Sequence, residues 1–186
     1  MTDSFRDHFL ISMPHLTDSF FDKTVIYICE NDGAGSMGLV INRPLPPAQG
    51  KTILQALGID AGGASSAIKR IYYGGPVQPN VGLVLHSPDY EIEGTIAISG
   101  ETCLTTSAQI MKDLEAGRGP ERFRFTMGYA GWGPDQLEGE IGSGDWLVIP
   151  ADANFMYEKA DHAKWTDAAR QFGIEITQIS GFGGSA

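Results

Sequence analysis

Apolar residues in this chain come in short runs, each closed by glycine, proline or a cluster of small polar residues. Phe9 to Ser12 reads as a strand stopped at Met13-Pro14, because proline restricts its predecessor and cannot donate to a ladder. Thr24 to Glu30 and Met37 to Asn42 are rich in β-branched residues and flank Asn31-Asp32-Gly33-Ala34-Gly35, which predicts a hairpin. After Pro44-Leu45-Pro46-Pro47, the segment Thr52 to Leu57 sets Ile53, Leu54 and Leu57 at helical spacing. Ile68 to Tyr73 and Val81 to His86 read as strands around a turn at Gly74-Gly75-Pro76, and Thr95 to Ser99 as a further strand. Thr106 or Ser107 caps a helix to Glu115 that turns Ile110, Met111 and Leu114 to one side and stops at Gly117. Phe123 to Met127 alternates in the strand period, and Pro134 opens a short acidic helix carrying Leu137 and Ile141. Trp146 to Ile149 is a strand, and Ala163 to Phe172 a helix that turns Trp165, Ala169 and Phe172 inward.

Connections this short favour antiparallel neighbours. With no internal repeat and no long linker, the expectation is a single α+β domain over residues 1–186, with strands dominating. Its core spans about 8–175, and the flanks 1–7 and 181–186 are expected to be flexible. At 186 residues a real core forms, since folding at this size buries roughly 70% of the unfolded surface.

Composition narrows the picture. Hydrophobic residues at 42% and charged residues at 19% exclude a disordered chain. No apolar run approaches the roughly 18 residues of a membrane helix, and the polar N-terminus does not suit a signal peptide. Cys29 and Cys103 lie far apart without C-x-x-C spacing, which suits reduced core thiols in a cytoplasmic protein. Thirteen Lys and Arg against 23 Asp and Glu give a net charge of −10, which repels a phosphate backbone. The densest basic clusters, Lys69-Arg70 and Arg118 with Arg122 and Arg124, fall short of a basic stripe, so direct DNA binding is the disfavoured reading.

The residues offer few chemical motifs. Gly33 to Gly38 matches G-x-G-x-x-G, but its third glycine leads into a strand, whereas a dinucleotide site needs a helix there. His8, His15, His86 and His162 have no zinc spacing, and no G-x-S-x-G occurs, so neither a metal nor a cofactor is expected. Glu138 and Glu140 sit two apart on a helix and so diverge, which reads as a solvated acidic face. His86 ends an apolar strand before Ser87-Pro88-Asp89, where it serves either as an acid or base at a cleft edge or as a satisfied strand-end histidine. Arg43 follows a strand directly and can clamp a carboxylate or phosphate, or pair with an acid to fix its loop. Gly128-Tyr129-Ala130-Gly131-Trp132-Gly133-Pro134 reads as a loop that sets two large aromatics among glycines, a design that a binding lip and a core plug would both use.

The segments HFLISMP from His8, VIYICEND from Val25, GSMGLVINRP from Gly35, YGGPVQP from Tyr73, GLVLH from Gly82 and GYAGWGPDQLEGEI from Gly128 together resemble the YqgE/AlgH family of bacterial proteins. The resemblance runs from about Phe9 to Gly173 and implies a bifurcated, partly barrel-like sheet surrounded by helices. It implies no established activity, cofactor or catalytic residue, and the family's regulatory label does not establish DNA binding. The leading expectation is a non-enzymatic cytoplasmic regulatory or interaction protein. A cleft bordered by Arg43, His86, Tyr129 and Trp132 would bind a protein segment or small ligand, whose identity stays open with the oligomeric state. The alternative is an enzyme using His86 with Glu138 or Asp135 as acid and base.

Overall fold

A computed structural model describes residues 4–17, 20–60 and 67–181. Most of the expected flexible tail, and the first residues of the lead-in, lie outside the described residues. Within them the chain forms β1 (His8–Ser12), β2 (Val25–Asp32), β3 (Gly35–Val40), α1 (Pro47–Ala56), β4 (Ile71–Tyr73), β5 (Val77–His86) and β6 (Ile96–Ala97). There follow β7 (Cys103–Thr105), α2 (Gln109–Glu115), β8 (Phe123–Trp132), α3 (Gln136–Gly142), β9 (Trp146–Pro150), α4 (Ala153–Glu158), α5 (Asp161–Arg170) and a 3₁₀ turn, Ile176–Gly181.

The strands join one nine-stranded sheet in the order β6-β7-β5-β8-β3-β2-β1-β9, with β4 also on β8. This is the mostly antiparallel α+β domain expected from the sequence, and its curled half-barrel sheet is the partly barrel-like sheet that the family resemblance implies. The β2–β3 hairpin turns at Gly33-Ala34, pairing Asp32 with Gly35 and Ile26 with Val40. Gly38 lies inside β3, where an added Cβ would stand 2.7 Å from Ile26 Cγ2. The glycine there admits a neighbouring strand, not a phosphate.

Strand β8 is where the sheet divides. Residues 125–127 pair in parallel with β4, and the same stretch pairs antiparallel with β5, whereas residues 130–132 pair with β3. Two expectations change here. The segments on either side of Gly74-Gly75-Pro76 do not form a hairpin, because each takes β8 as its partner, one of them in parallel. The glycine-aromatic segment from Gly128 is strand rather than loop, since backbone packing holds it extended. An added Cβ on Gly75 would stand 2.1 Å from the Tyr129 carbonyl carbon, and one on Gly74 would stand 2.2 Å from the Gly128 oxygen. Only bare backbone allows that approach.

The two-residue period then sorts the core. Phe9, Ile11, Val25, Tyr27, Leu39 and Ile41 face one way, against Phe155 of α4 and Trp165, Ala168 and Ala169 of α5. Leu10, Ile26, Ile28 and Val40 face the other, with Trp132, Trp146 and Leu137 of α3. A third cluster packs Leu54, Ile110, Met111 and Leu114 of α1 and α2 against Ile71, Val84 and Phe125. Each buried Val, Leu, Ile, Phe or Met side chain among them contributes about 1.5–3 kcal/mol by leaving water.

Helix α1 begins at Pro47, earlier than the helical spacing suggested, because a proline at the first turn loses no hydrogen bond. Ser107 Oγ accepts from the Gln109 amide at 3.3 Å, just ahead of α2. Phe172 is 49% exposed, not inward, since α5 ends at Arg170 before the ring's turn of the helix is reached. Residues 4–7, expected to be a flexible lead-in, hydrogen-bond across the molecule. The Phe5 amide donates to Asn31 Oδ1 at 2.8 Å, and the Arg6 guanidinium donates to the Ala97 and Ile98 carbonyls at edge strand β6. Among the described residues no helix is long and apolar enough to cross a membrane.

Candidate functional site

The four residues singled out from the sequence do not meet in one cleft. Trp132, only 6% exposed, sits in the cluster with Leu10, Ile26 and Val40, and its Nε1 donates to Glu140 Oε2 at 2.9 Å. Trp146 Nε1 donates to the same oxygen at 2.9 Å, and Gln136 Nε2 donates to Glu140 Oε1 at 2.9 Å. Glu140 is thus a tie between α3, β8 and β9 and not part of a solvated face. Tyr129, three residues back along the strand, packs against the other cluster, around Phe9 and Leu39.

His86 is fully buried. Its Nδ1 lies 2.9 Å from the Ser87 carbonyl and its Nε2 lies 2.8 Å from Thr105 Oγ1, so Nδ1 carries the proton and Nε2 accepts. Burial lowers its pKa from 6.5, against the smaller opposing pull of the Ser87 carbonyl and Asp89. A neutral, doubly satisfied ring is a structural histidine, and neither Asp135 nor Glu138 is its partner; Glu138 instead accepts from Asn31 at 3.1 Å. Arg43 NH1 donates to the Phe20 carbonyl at 2.6 Å and NH2 to the Asp22 carbonyl at 2.7 Å, so the guanidinium fixes the loop before β2.

A different set of residues converges. Strand β8 carries Arg124 into the interior, where it is 5% exposed. Its NH1 donates to the Ile41 carbonyl at 2.8 Å, its NH2 to the Met156 carbonyl at 2.7 Å, and its guanidinium lies 4.0 Å from the centre of the Tyr72 ring. Arg124 therefore contributes nothing to an exposed basic patch with Arg118 and Arg122. It pins β3, β4, β8 and α4 together and delivers a charge to the start of α5.

Asp161, in the first turn of α5, answers that charge. Its Oδ1 accepts from Arg124 NH1 at 3.2 Å and Lys164 Nζ at 3.0 Å, and its Oδ2 from Arg70 NH1 at 3.3 Å and the Tyr72 hydroxyl at 3.0 Å. Burial pulls this carboxyl upward, but the Lys164 hydrogen bond and the Arg124 and Lys164 charges outweigh it and hold the pKa below its usual 3.8. Lys164, fully buried, also donates to the Lys159 carbonyl. Burial and the neighbouring Arg124 lower its pKa, and Asp161 offsets part of that.

The network opens on a groove of about 1070 Å³ between α1, the segment leading into β4, and the N-terminus of α5. Leu45, Leu54, Ile68 and Ile71 form apolar wall, and Lys51, Lys69 and Arg70 line the groove with one carboxylate among the described residues, Asp161, which Arg70 pairs at 3.3 Å. In a chain of net charge −10, this groove carries a local excess of positive charge. Asn42 and Pro44 line it too, although Arg43 between them is turned to the loop before β2. The sequence pointed to Lys69-Arg70 only as a short basic cluster. Its partners Asp161 and Arg124 lie 91 and 54 positions further on, and no local spacing announces them. Among the described residues, no group of three or more His, Cys, Asp or Glu is placed to hold a metal ion.

Residues 9–177 match the family described as AlgH-like, and the chain belongs to it. It is 42% identical to a UPF0301 protein of Marinomonas sp. (strain MWYL1) over 96% of this chain and 94% of that one. It is 39% identical to a UPF0301 protein of Psychrobacter cryohalolentis over 93% of this chain and 92% of that one. The solution structure of the AlgH protein from Pseudomonas aeruginosa superposes with a TM-score of 0.78 at 35% identity, covering 100% of this chain and 98% of that one. A crystal structure of a Corynebacterium diphtheriae protein shares the fold with a TM-score of 0.73 at 18% identity, covering 98% and 94% of the two chains.

Proposed function

We propose that this AlgH-like protein is a non-enzymatic cytoplasmic interaction module that binds an anionic ligand in the groove between α1, β4 and α5. The observation that carries the reading is that the described residues of the groove set Lys51, Lys69 and Arg70 against one already shared carboxylate, Asp161, in an otherwise acidic chain. A positive concavity in a negative field draws anions to one place and turns them away elsewhere. The buried Arg124–Asp161–Lys164 network behind it fixes the walls, so the site is formed before ligand arrives. The cytoplasmic setting is supported by Cys29 and Cys103, both buried as free thiols. A regulatory role would follow from exchange of the bound anion, because rim charges on exposed side chains are screened by salt and let go readily.

Citrate titrated into isotope-labelled protein and followed by amide NMR tests this. Saturable shifts confined to residues 42–54, 68–71 and 160–162, weakening with added salt, are the expected result. The variant Lys69→Glu with Arg70→Glu removes them while its spectrum stays dispersed. Shifts centred instead on Tyr129 and Trp132, or unaffected by the charge reversal, would return the site to the aromatic segment.

A further inference from the structure

Building on that groove reading, we infer that the natural ligand is an aliphatic carboxylate, an acyl chain with an anionic head, and not a nucleotide or a bare inorganic anion. The walls decide the body of the ligand. Leu45, Leu54, Ile68 and Ile71 are branched aliphatic groups, and among the described residues the lining contains no Phe, Tyr or Trp. A nucleobase takes much of its affinity from stacking on an aromatic face, and the one aromatic ring among the described lining residues is the exposed imidazole of His162. An alkyl chain needs only a continuous apolar trough. Gly50 of α1 supplies its depth, since a Cβ placed there would meet no atom within 4 Å.

The head is decided by Arg70. Its side chain is 67% exposed and pairs with Asp161 Oδ2 at 3.3 Å. Asp161 is already neutralised from within by Arg124 and Lys164, at 3.2 and 3.0 Å, so the charge of Arg70 is left over for a ligand. The guanidinium fork suits a carboxylate, which it meets with two parallel bonds. Lys51 and Lys69 add charge without fixed geometry. A trough of about 1070 Å³ lies just above the roughly 300–1,000 Å³ of small-molecule sites, which fits an extended ligand better than a compact one.

The test titrates monomeric decanoate, decanol, acetate and AMP separately into labelled protein and follows the Leu54, Ile68 and Ile71 methyl signals with the groove amides. Decanoate should bind at least roughly tenfold more tightly than acetate, which lacks the chain, and than decanol, which lacks the charge. Arg70→Gln should weaken decanoate about tenfold. Gly50→Leu, which fills the trough, should abolish decanoate shifts while citrate still perturbs Lys69 and Arg70. If citrate, acetate or AMP binds at the groove as well as decanoate does, the acyl assignment is wrong although the groove still binds anions. If decanoate perturbs only exposed apolar residues such as Leu57 and Phe172, the acyl assignment is equally wrong. Should no probe, citrate included, perturb the groove, the parent reading falls with it.

Discussion

Two carboxylates organise this protein, and they do opposite things with the same chemical group. Glu140 receives two indole N–H groups and a glutamine amide, all neutral donors, and so closes a knot between α3, β8 and β9. Asp161 receives Arg124, Lys164 and Arg70 as well as the Tyr72 hydroxyl. The first centre ends negative and inward; the second has more cations than it can neutralise and passes the surplus to a groove. Large aromatics among glycines therefore mark architecture here, while the reactive-looking surface is made by charge imbalance.

Substitutions can break the contrast. Asp161→Asn should be the most damaging, costing about 3–5 kcal/mol, because it strands two buried cations, and chemical denaturation would measure it. A loss of less than about 1 kcal/mol would show that Arg124 does not depend on Asp161. Glu140→Ala leaves the buried indole N–H groups of Trp132 and Trp146 without their acceptor, so a smaller loss of about 1.5–3 kcal/mol is expected, with altered tryptophan fluorescence.

A third buried polar centre sharpens the comparison, because it carries no charge. His86 has a folded-state pKa below 6.5, so above that value the ring is neutral whether the chain is folded or not. As pH falls through 6.5 the unfolded chain takes up a proton that the folded one refuses, and stability declines until the folded pKa is reached. Unfolding free energies at pH 7 and pH 5 should therefore differ less in His86→Gln than in the parent. An equal pH slope in both would assign the loss to other groups. Arg70→Gln should have the smallest effect on folding, under about 1 kcal/mol, since its pair with Asp161 is exposed. Its effect on anion binding should nonetheless be plain, and that separation of stability from affinity is the signature expected of a groove residue.

Much of the sheet was legible in the sequence because short apolar, β-branched runs bounded by turn residues produced it. The β2–β3 hairpin, β1 and β9 follow that pattern directly, and the buried face of α2 follows the helical spacing of Ile110, Met111 and Leu114. What escaped had little local signal. Strand β7 is three residues long and α4 six, too short for a period to show. The length of β8 was masked by Gly128 and Gly131, which usually punctuate but here permit backbone to lie on backbone. The groove escaped for a different reason. Arg70, Arg124 and Asp161 are joined only by tertiary structure, and each alone looks like an ordinary surface charge.

The guanidinium of Arg6 bears on how copies of this chain behave beside one another. Strand β6 is an edge, and an edge's unpaired carbonyls invite a strand from a second molecule. Arg6 occupies the Ala97 and Ile98 carbonyls from within the same molecule and sets a cation where such a strand would approach. Beside Ile96, which is 43% exposed, that cation acts as a gatekeeper against templated aggregation. The lead-in that brings Arg6 there thus guards solubility at high concentration, and trimming it would shorten the protein's shelf life before it touched the groove.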